Sequence, residues 1–311
     1  MTADPFGAPS HGNLFATSAM RELLSDTHRC AVMVAVEIAL AKAQSACGVI
    51  PAESAEEIAR ALEGFVVDNA ALGDGTESAG VPVPALVGQL RKAVGGQAAH
   101  SIHWGATSQD ILDTAQVLVL HEAVTQFERD LDAVIDGLAN LARDHAQTVM
   151  LARTRMQQAA PTSFGLKVAG WRAPLLRDRE RLAEMKPRLL VAQLGGAAGT
   201  LAPLGHSGSE VRKRFAAELG LGLTDTPWHS QRDVLAEFAS WIALLAGSLG
   251  KIGLDVGLLA QSEVGEVRES GEEGRGGSST LPQKSNPVSS EILVTLARYN
   301  ANAVGAMHQA M

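Results

Sequence analysis

Apolar side chains recur every three or four residues along much of the chain, which is the spacing of one face of an α-helix. The clearest case follows Thr107, and its apolar positions are Leu120, Val124, Phe127, Leu131, Val134, Leu138 and Leu141. The Thr107-x-x-Asp110 spacing is typical of a capping box, so Thr107 or Ser108 can cap this helix. The pattern predicts one long amphipathic helix and excludes a strand, because no period of two is sustained.

Two further long helices are predicted from the same spacing. One begins after Pro161 and runs to about Arg188, and Pro174 can kink it. The other runs from Asp233 to Leu259 with an apolar position in nearly every turn. Long helices are therefore expected to dominate this part of the chain.

The N-terminal part of the chain has a different pattern. Shorter helical stretches are predicted at 31–46 and 53–65, and a segment interrupted by glycine and proline follows at 72–84. This change predicts a domain boundary, with an N-terminal helical domain at 1–98 and a central bundle of long helices at 99–311. The predicted fold class is all-α.

Glycine-rich breaks lie between the predicted long helices, at Gly195–Gly196 and at 271–277. Glycine leaves helical geometry at little steric cost, so the chain can turn at these positions. A functional site is expected at such breaks.

The charge balance restricts the kinds of partner. The formal net charge is -8, and nucleic acids and anionic membranes bind basic faces, so neither is expected as a partner. An anionic ligand must then be held by a local cluster of cationic and hydrogen-bonding groups.

Cys30 and Cys47 support neither a disulfide framework nor a cysteine-rich metal site. The histidines show no metal-ligand spacing, so no metal or cofactor is expected. A reducing cytoplasm fits this composition best.

Charged residues interrupt the two longest apolar runs. The run from Cys30 is broken at Glu37, and the run from Trp241 contains Lys251 and Asp255. A membrane-spanning helix needs about 20 predominantly apolar residues, and the N-terminus has no signal-peptide pattern. These features predict a soluble protein.

The segment 276–287 reads Gly-Gly-Ser-Ser-Thr-Leu-Pro-Gln-Lys-Ser-Asn-Pro. Glycines let backbone amides approach an anion, Ser278 and Ser279 offer hydroxyls, and Lys284 and Asn286 supply a cation and a neutral donor. This set suits a carboxylate whose charge rises during a reaction. On composition alone, a solvated Gly/Ser linker explains the segment as well as a mobile catalytic loop does.

A second polar segment, 101–110, opens the first long helix and reads Ser-Ile-His-Trp-Gly-Ala-Thr-Ser-Gln-Asp. Free amides and the helix dipole favour an anion there. Thr107 and Ser108 can hydrogen-bond a carboxylate, and His103 can supply a charge or a proton near neutral pH. A plain helix cap and a hydrogen-bonded histidine are the alternative interpretation.

Both segments resemble the fumarase/aspartase superfamily. Segment 276–287 matches its signature Gly-Ser-Ser-x-x-Pro-x-Lys-x-Asn at every defined position, and 103–110 matches the His-x-Gly-x-Thr-Ser-x-Asp pattern of adenylosuccinate lyases and carboxymuconate cycloisomerases. The resemblance implies that Ser278 is the catalytic base and that Lys284 and Asn286 bind substrate carboxylate. It also implies a fold with a long central helical bundle.

The segment 152–161 is similar to the superfamily block Gly-Arg-Thr-His-x-x-x-Ala-x-Pro, with two departures. Arg155 stands where adenylosuccinate lyases and fumarases have histidine and some carboxymuconate cycloisomerases have tryptophan. Gln158 stands where those cycloisomerases often have histidine, whereas Gln157 matches a common glutamine. A solvated start of a helix is the alternative interpretation of Arg153 and Arg155.

Three more stretches look like carboxymuconate cycloisomerases, namely 164–171, 195–201 and 226–233. In the last of them Trp228, His229 and Arg232 can line a pocket, and packing at the start of a helix is the alternative interpretation of Trp228. The residues expected to act in catalysis are Ser278, His103 and Lys284. Those expected to bind the substrate are Thr107, Ser108, Arg153, Arg155, Gln157, His229, Arg232, Ser279 and Asn286.

The resemblance implies proton transfer by Ser278 at a carbon next to a carboxylate, through an aci-carboxylate dianion that fixed donors and cations stabilise. In a cycloisomerase the β group is a carboxylate of the same molecule, which with a pKa of about 4 departs without protonation. This fits the absence of an acid at Arg155. The expected function is conversion of 3-carboxy-cis,cis-muconate to carboxymuconolactone in the protocatechuate branch of the β-ketoadipate pathway.

Three alternatives stay open: an adenylosuccinate lyase-like enzyme, a cycloisomerase acting on 3-sulfomuconate through Arg155, and a catalytically silent helical-bundle protein. The resemblance also implies a homotetramer whose sites, shared between subunits, bind a small polyanionic carboxylate.

Relatives continue past the position of Met311 with further bundle helices and a C-terminal domain, which is absent from this sequence.

Overall fold

The structure is a computed structural model that describes residues 6, 8, 10–269 and 275–311. It is predominantly helical, which confirms the all-α class. The helices are α1 (Gly12–Phe15), α2 (Ser18–Leu23), α3 (Asp26–Ala46), α4 (Ala52–Ala61), α5 (Asn69–Ala79), α6 (Val83–Val94), α7 (Ser108–Asp144), α8 (Phe164–Leu189), α9 (Gly208–Glu218), α10 (Asp233–Leu259) and α11 (Val288–Gln309). Short 3₁₀ turns lie at Ala98–Ser101 and Ala202–Ser207, and the strands are β1 (Val149–Thr154), β2 (Gln157–Ser163), β3 (Val191–Ala192) and β4 (Gly222–Leu223).

The three long helices predicted from periodicity are confirmed as α7, α8 and α10. Helix α8 continues across Pro174 and ends within a residue of the predicted end. It begins at Phe164 and not directly after Pro161, because Pro161 lies in β2.

The segment 149–163 is a β-hairpin, so the interpretation of its arginines as the start of a helix is wrong. Strands β1 and β2 are antiparallel, and Thr154 pairs with Gln157. Arg155 and Met156 form the two-residue turn between them, with φ of 51° and 65°. Positive φ at both turn positions is the type I′ geometry that matches the twist of a hairpin.

The segment 72–84, where the sequence indicates a break, is largely helical. The Asp68 carboxylate caps α5 by accepting the N–H groups of Ala70 and Ala71 at 3.0 and 3.1 Å. Gly80 ends the helix with φ of 75°. Gly75 lies within α5 and faces α6 so closely that a Cβ would lie 2.4 Å from that of Ala85. Here glycine serves close helix packing, and proline lies in the first turn of α6.

The chain divides into two compact units that are interleaved in sequence. The loop unit comprises the described residues of 1–15 with 126–185 and 233–311, and the α3 unit comprises 16–125 and 186–232. Helix α7 contributes to both units. The domain boundary between residues 98 and 99 stays a prediction.

Each unit has its own core. In the loop unit α10 packs on α11, and a Cβ at Gly250 would lie 2.4 Å from that of Ala297. Phe127 and Trp241 meet edge to face at 5.5 Å in the same unit. In the α3 unit, α3 packs against α4 and α9, which bury Ile58 and Phe215 completely. Small residues bring the helices together, and large apolar side chains fill the space between them.

Helix α10 is long and apolar enough to cross a membrane by length and composition alone, the single such helix among the residues that the structure describes. The charged residues Lys251 and Asp255 were expected to exclude a membrane-spanning helix. By length and composition they do not exclude one. Core helices of bundle proteins have the same length and composition. Phe238 and Trp241 of α10 are buried in the loop unit, so part of its apolar face is already packed against protein.

Candidate active site

Asp110 is the structural centre of the predicted site residues in the α3 unit. Its Oδ1 accepts hydrogen bonds from Gln193 Nε2 at 3.0 Å, from the N–H of Gly195 at 2.8 Å and from His229 Nε2 at 3.1 Å. Its Oδ2 accepts the N–H of Gly196 at 2.9 Å and that of Thr107 at 3.0 Å. The side chain is fully buried. One carboxylate thus joins the start of α7, the Gly195–Gly196 break and the His229 segment.

The capping box at the start of α7 is confirmed in one half, because the Asp110 carboxylate accepts the N–H of Thr107. Within the described ranges, the hydroxyls of Thr107 and Ser108 make no hydrogen bond, and both residues are half-buried. Since Asp110 performs the capping, both hydroxyls are available to a ligand.

His229 and Arg232 are each tied to an acidic side chain of α7. The Asp110 carboxylate uses His229 Nε2, which leaves Nδ1 as the ring nitrogen that can meet a ligand. Arg232 donates to Asp113 Oδ1 at 2.8 Å, and its guanidinium lies 5.5 Å from the centre of the Trp228 ring. Trp228 is buried, which favours its interpretation as packing.

His103 lies in the loop before α7 in a left-handed conformation, with φ of 62°. Its Nδ1 is 2.6 Å from Oε1 of Glu37 in α3. The carbonyl of the next residue, Trp104, accepts a hydrogen bond from Gln44 Nε2 at 2.5 Å. Arg91 donates a hydrogen bond to the carbonyl of the preceding residue, Ile102, at 3.1 Å. Side chains of α3 and α6 therefore hold the backbone in a conformation that is uncommon outside glycine.

In the loop unit, the Ser278 hydroxyl accepts hydrogen bonds from two backbone amides of its own loop. Its Oγ accepts the N–H of Thr280 at 3.3 Å and that of Leu281 at 3.1 Å. Two amide dipoles aimed at one oxygen stabilise negative charge that develops on it. This arrangement supplies assistance of the kind that a serine base requires.

The rest of the 276–287 segment folds back on itself. Gly277 pairs with Ser285 as an antiparallel bridge, and Asn286 donates its N–H to the carbonyl of Gly276 at 2.8 Å. Gly276 has φ of 75°, and a Cβ there would lie 2.4 Å from the Asn286 carbonyl oxygen, so glycine is required. In the described part of the chain, the side chains of Lys284 and Asn286 make no hydrogen bond, and Lys284 is exposed. The part of the predicted glycine break at 271–274 lies outside the described residues.

Glu269 joins the base of this segment to the start of α11. Its carboxylate accepts the N–H of Ser290 at 2.7 Å, the Ser290 hydroxyl at 2.5 Å and the N–H of Ser289 at 3.2 Å. Burial raises the pKa of Glu269, but the hydrogen bonds from Ser290 and Ser289 and the nearby Arg275 outweigh it, so the pKa lies below its ordinary value. A helix N-terminus binds this anion in the usual way.

The lowered pKa of Glu269 predicts a pH-dependent contribution to stability. A carboxyl group with a folded-state pKa below its unfolded value, about 4.3, stabilises the fold above that value and loses the effect as pH falls through the folded pKa. Thermal unfolding of the unaltered protein and of Glu269→Gln should therefore differ most above about pH 5. The difference should shrink on acidification, and a difference that stays constant down to pH 3 would contradict this assignment.

Arg153 of the hairpin forms a two-pronged ion pair with Glu266. The distances are 2.7 Å from NH1 to Oε2 and 2.9 Å from NH2 to Oε1. The hydrogen bond to Glu266 raises the pKa of Arg153, and the same bond lowers the pKa of Glu266. Arg153, predicted to bind substrate, is thus occupied by a carboxylate of its own chain.

The other hairpin residues predicted to bind substrate, Arg155 and Gln157, are exposed at the turn. Among the described residues, neither side chain makes a hydrogen bond or ion pair, and the same holds for Gln158. These groups are therefore free to meet a ligand or another protein surface.

The predicted site residues belong to different units. His103, Thr107, Ser108, His229 and Arg232 belong to the α3 unit, whereas Arg153, Arg155, Gln157, Ser278, Ser279, Lys284 and Asn286 belong to the loop unit. The structure brings together Thr107 and His229 through Asp110, and it brings Arg232 to α7 through Asp113.

Sequence reasoning missed four acidic residues that position these groups: Glu37, Asp113, Glu266 and Glu269. Glu37 carries a signal, because it is an acid within an apolar helical run. Glu266 and Glu269 lie in polar sequence near the loop and have no comparable signal. Asp110 was recognised as a cap, although its links to Gly195, Gly196 and His229 depend on contacts distant in sequence.

Comparison with known proteins identifies the class to which this fold and loop belong. A family profile described as "Lyase" matches residues 14–300. The chain therefore belongs to this lyase family, within the fumarase/aspartase superfamily that its signature resembles.

The individual relatives are more specific than the family. The chain is 44% identical to a 3-carboxy-cis,cis-muconate cycloisomerase of Pseudomonas aeruginosa over 96% of its own length and 65% of the relative's. It is 46% identical to that of Bradyrhizobium diazoefficiens over 90% and 63%. It is also similar to the crystal structure of the 3-carboxy-cis,cis-muconate lactonizing enzyme of Pseudomonas putida, with a TM-score of 0.90, 42% identity, and coverage of 94% of this chain and 66% of that one. The chain thus spans about two thirds of each relative's length.

Proposed function

We propose that this protein is a cycloisomerase that converts 3-carboxy-cis,cis-muconate to carboxymuconolactone. The observation that carries the proposal is the Ser278 hydroxyl, which accepts two backbone N–H groups in a loop that also carries Lys284 and Asn286. The names of the Pseudomonas aeruginosa, Bradyrhizobium diazoefficiens and Pseudomonas putida relatives support the choice of substrate. This reaction would place the protein in the protocatechuate branch of the β-ketoadipate pathway, in the cytoplasm.

The reaction needs a proton donor at carbon and a stabilised dianion. One substrate carboxylate oxygen bonds to the carbon β to another carboxylate, and the electron pair of the double bond moves toward that second carboxylate. The Ser278 hydroxyl then gives its proton to the α carbon, and solvent returns a proton to the Ser278 oxygen. The amides of Thr280 and Leu281 stabilise the oxygen while it is charged.

The remaining groups bind the carboxylates. Lys284 supplies a cation from the Ser278 loop, and Asn286 and Ser279 supply neutral donors. In the α3 unit, Thr107 and Ser108 offer hydroxyls at the start of α7, where the helix dipole favours an anion. His103 supplies a charge or a proton, and His229 and Arg232 complete the set.

We also propose that the protein is a homotetramer in which each site combines segments of several protomers. Superfamily resemblance motivates this proposal. The exposed Leu244 and Leu254 of α10 support it, because an apolar helix face outside the core of its own unit is suited to a bundle with other chains. Sedimentation that gives only a monomer for active protein would contradict it.

The function is tested by the loss of diene absorbance in the ultraviolet on incubation with 3-carboxy-cis,cis-muconate. The expected result is a first-order loss proportional to protein concentration, with the lactone as product. Unchanged absorbance with purified protein would overturn the proposal.

A small substrate panel separates the neighbouring activities. Arg155 is exposed and free of partners in the described part of the chain, so it favours 3-sulfomuconate as a second candidate substrate. A larger specificity constant for the sulfo than for the carboxy compound would move the assignment to that substrate. Tight binding of adenosine monophosphate would instead favour an adenylosuccinate lyase.

A further inference from the structure

We infer that Glu37 is a positioning residue that holds the His103 ring with a proton on Nδ1, so that Nε2 is the nitrogen presented to the substrate. The inference rests on the proposed function, which places His103 in the site. Glu37 lies in α3, outside the segments 103–110, 152–161 and 276–287 that resemble the superfamily.

The contact itself shows a specific pairing. Glu37 Oε1 lies 2.6 Å from His103 Nδ1, and the two side chains are 1% and 17% exposed. An ionised carboxylate has only acceptor atoms, so it takes this hydrogen bond from a protonated Nδ1. The other ring nitrogen, Nε2, is not buried and has no hydrogen-bond partner among the residues that the structure describes.

The charge of Glu37 is costly to bury in this environment. The second oxygen of Glu37, Oε2, is buried and has no hydrogen-bond partner within 10–269 and 275–311. Burial of a carboxylate with one oxygen unpaired costs stability, and an apolar residue would pack there at lower cost. The paired oxygen of Glu37 is directed at the His103 ring, in the way that an acidic side chain orients a catalytic imidazole.

The loop backbone has other anchors, which makes the role of Glu37 separable from loop folding. Gln44 and Arg91 hold the carbonyls of Trp104 and Ile102. These contacts are to the main chain on either side of His103 and do not touch its ring. Gln44 and Glu37 lie on the same helix, so Gln44 provides a matched control.

The test compares Glu37→Gln with Gln44→Met. Glutamine keeps the shape of Glu37, but its amide can donate or accept, so the proton is no longer held on Nδ1. We expect kcat of Glu37→Gln to fall by about tenfold to a hundredfold, while KM changes less than about threefold. The melting temperature of this variant should be unchanged or higher. Gln44→Met should lower the melting temperature and reduce kcat less than Glu37→Gln does, because Arg91 still holds the Ile102 carbonyl. Equal effects of the two variants on kcat would overturn the inference.

Two further measurements make the result independent of a folding defect and of the proposed function. If Glu37 acts through the ring, Glu37→Gln combined with His103→Asn should be no slower than His103→Asn alone, and additive losses would contradict the inference. Nuclear magnetic resonance of protein with ¹⁵N-labelled histidine, assigned with His103→Asn, reads the ring without any substrate. A protonated Nδ1 that persists in Glu37→Leu, which has no acceptor, would overturn the inference even if the muconate assay succeeds, and a ring that responds would support it even if that assay fails.

Discussion

Replacement of Ser278 by alanine should lower kcat of the proposed cycloisomerisation by about 10²- to 10⁴-fold, the usual contribution of a positioned proton-transfer group. The reason is local, because the amides of Thr280 and Leu281 are directed at an oxygen that alanine lacks. The measurement is the ultraviolet assay with saturating 3-carboxy-cis,cis-muconate. Circular dichroism should show an unchanged helical content, since the residue lies outside every helix.

Ser285→Ala is the matched control for this experiment. Ser285 lies in the same loop, is exposed, and contributes to it through backbone pairing with Gly277, which alanine retains. Its kcat should stay within about twofold of the unaltered protein, because surface substitutions away from special features have small effects. Full activity of Ser278→Ala, or an equal loss in both variants, would remove Ser278 from the mechanism.

The largest effect on stability is expected from Asp110→Ala. The substitution leaves five donors without their acceptor, and these donors are Thr107, Gln193, Gly195, Gly196 and His229. Loss of one partner from a buried charged network costs about 3 to 5 kcal/mol. Thermal or denaturant unfolding should show a loss of this size, along with a fall in activity because both His229 and the Thr107 segment lose their anchor.

Asp136→Ala provides the comparison on the same helix. Asp136 is exposed on α7, and its removal should change stability by less than about 0.5 kcal/mol. A loss below about 1 kcal/mol for Asp110→Ala would mean that the network tolerates an empty centre. Water would then have to accept the N–H groups of Thr107, Gly195 and Gly196 in place of the Asp110 carboxylate.

Periodicity was sufficient to predict the long helices and insufficient to predict the hairpin. Helices α7 and α10 repeat their apolar positions over many turns, so local mismatches do not obscure the pattern. The hairpin turn consists of Arg155 and Met156, neither of which is a residue that usually adopts positive φ. Its geometry is imposed by the pairing of the strands and leaves no mark in the composition of the turn.

The candidate site was predictable where chemistry lies in a contiguous segment. Ser278, Lys284 and Asn286 share one loop, and the Thr107 segment opens a helix. The groups that position them come from distant sequence, as Glu37 does for His103. Such pairs depend on tertiary packing, which a pattern of neighbouring residues does not contain.

The Arg153–Glu266 pair has a consequence for ligand choice. A carboxylate that is to occupy Arg153 must first displace an acid tethered to the same chain, whose effective concentration is far higher than that of a dilute metabolite. A ligand with a single anionic group gains too little from this exchange. On the proposal that Arg153 binds the substrate, a ligand that anchors its other charges elsewhere completes the exchange, and Glu266 then favours ligands with several acidic groups.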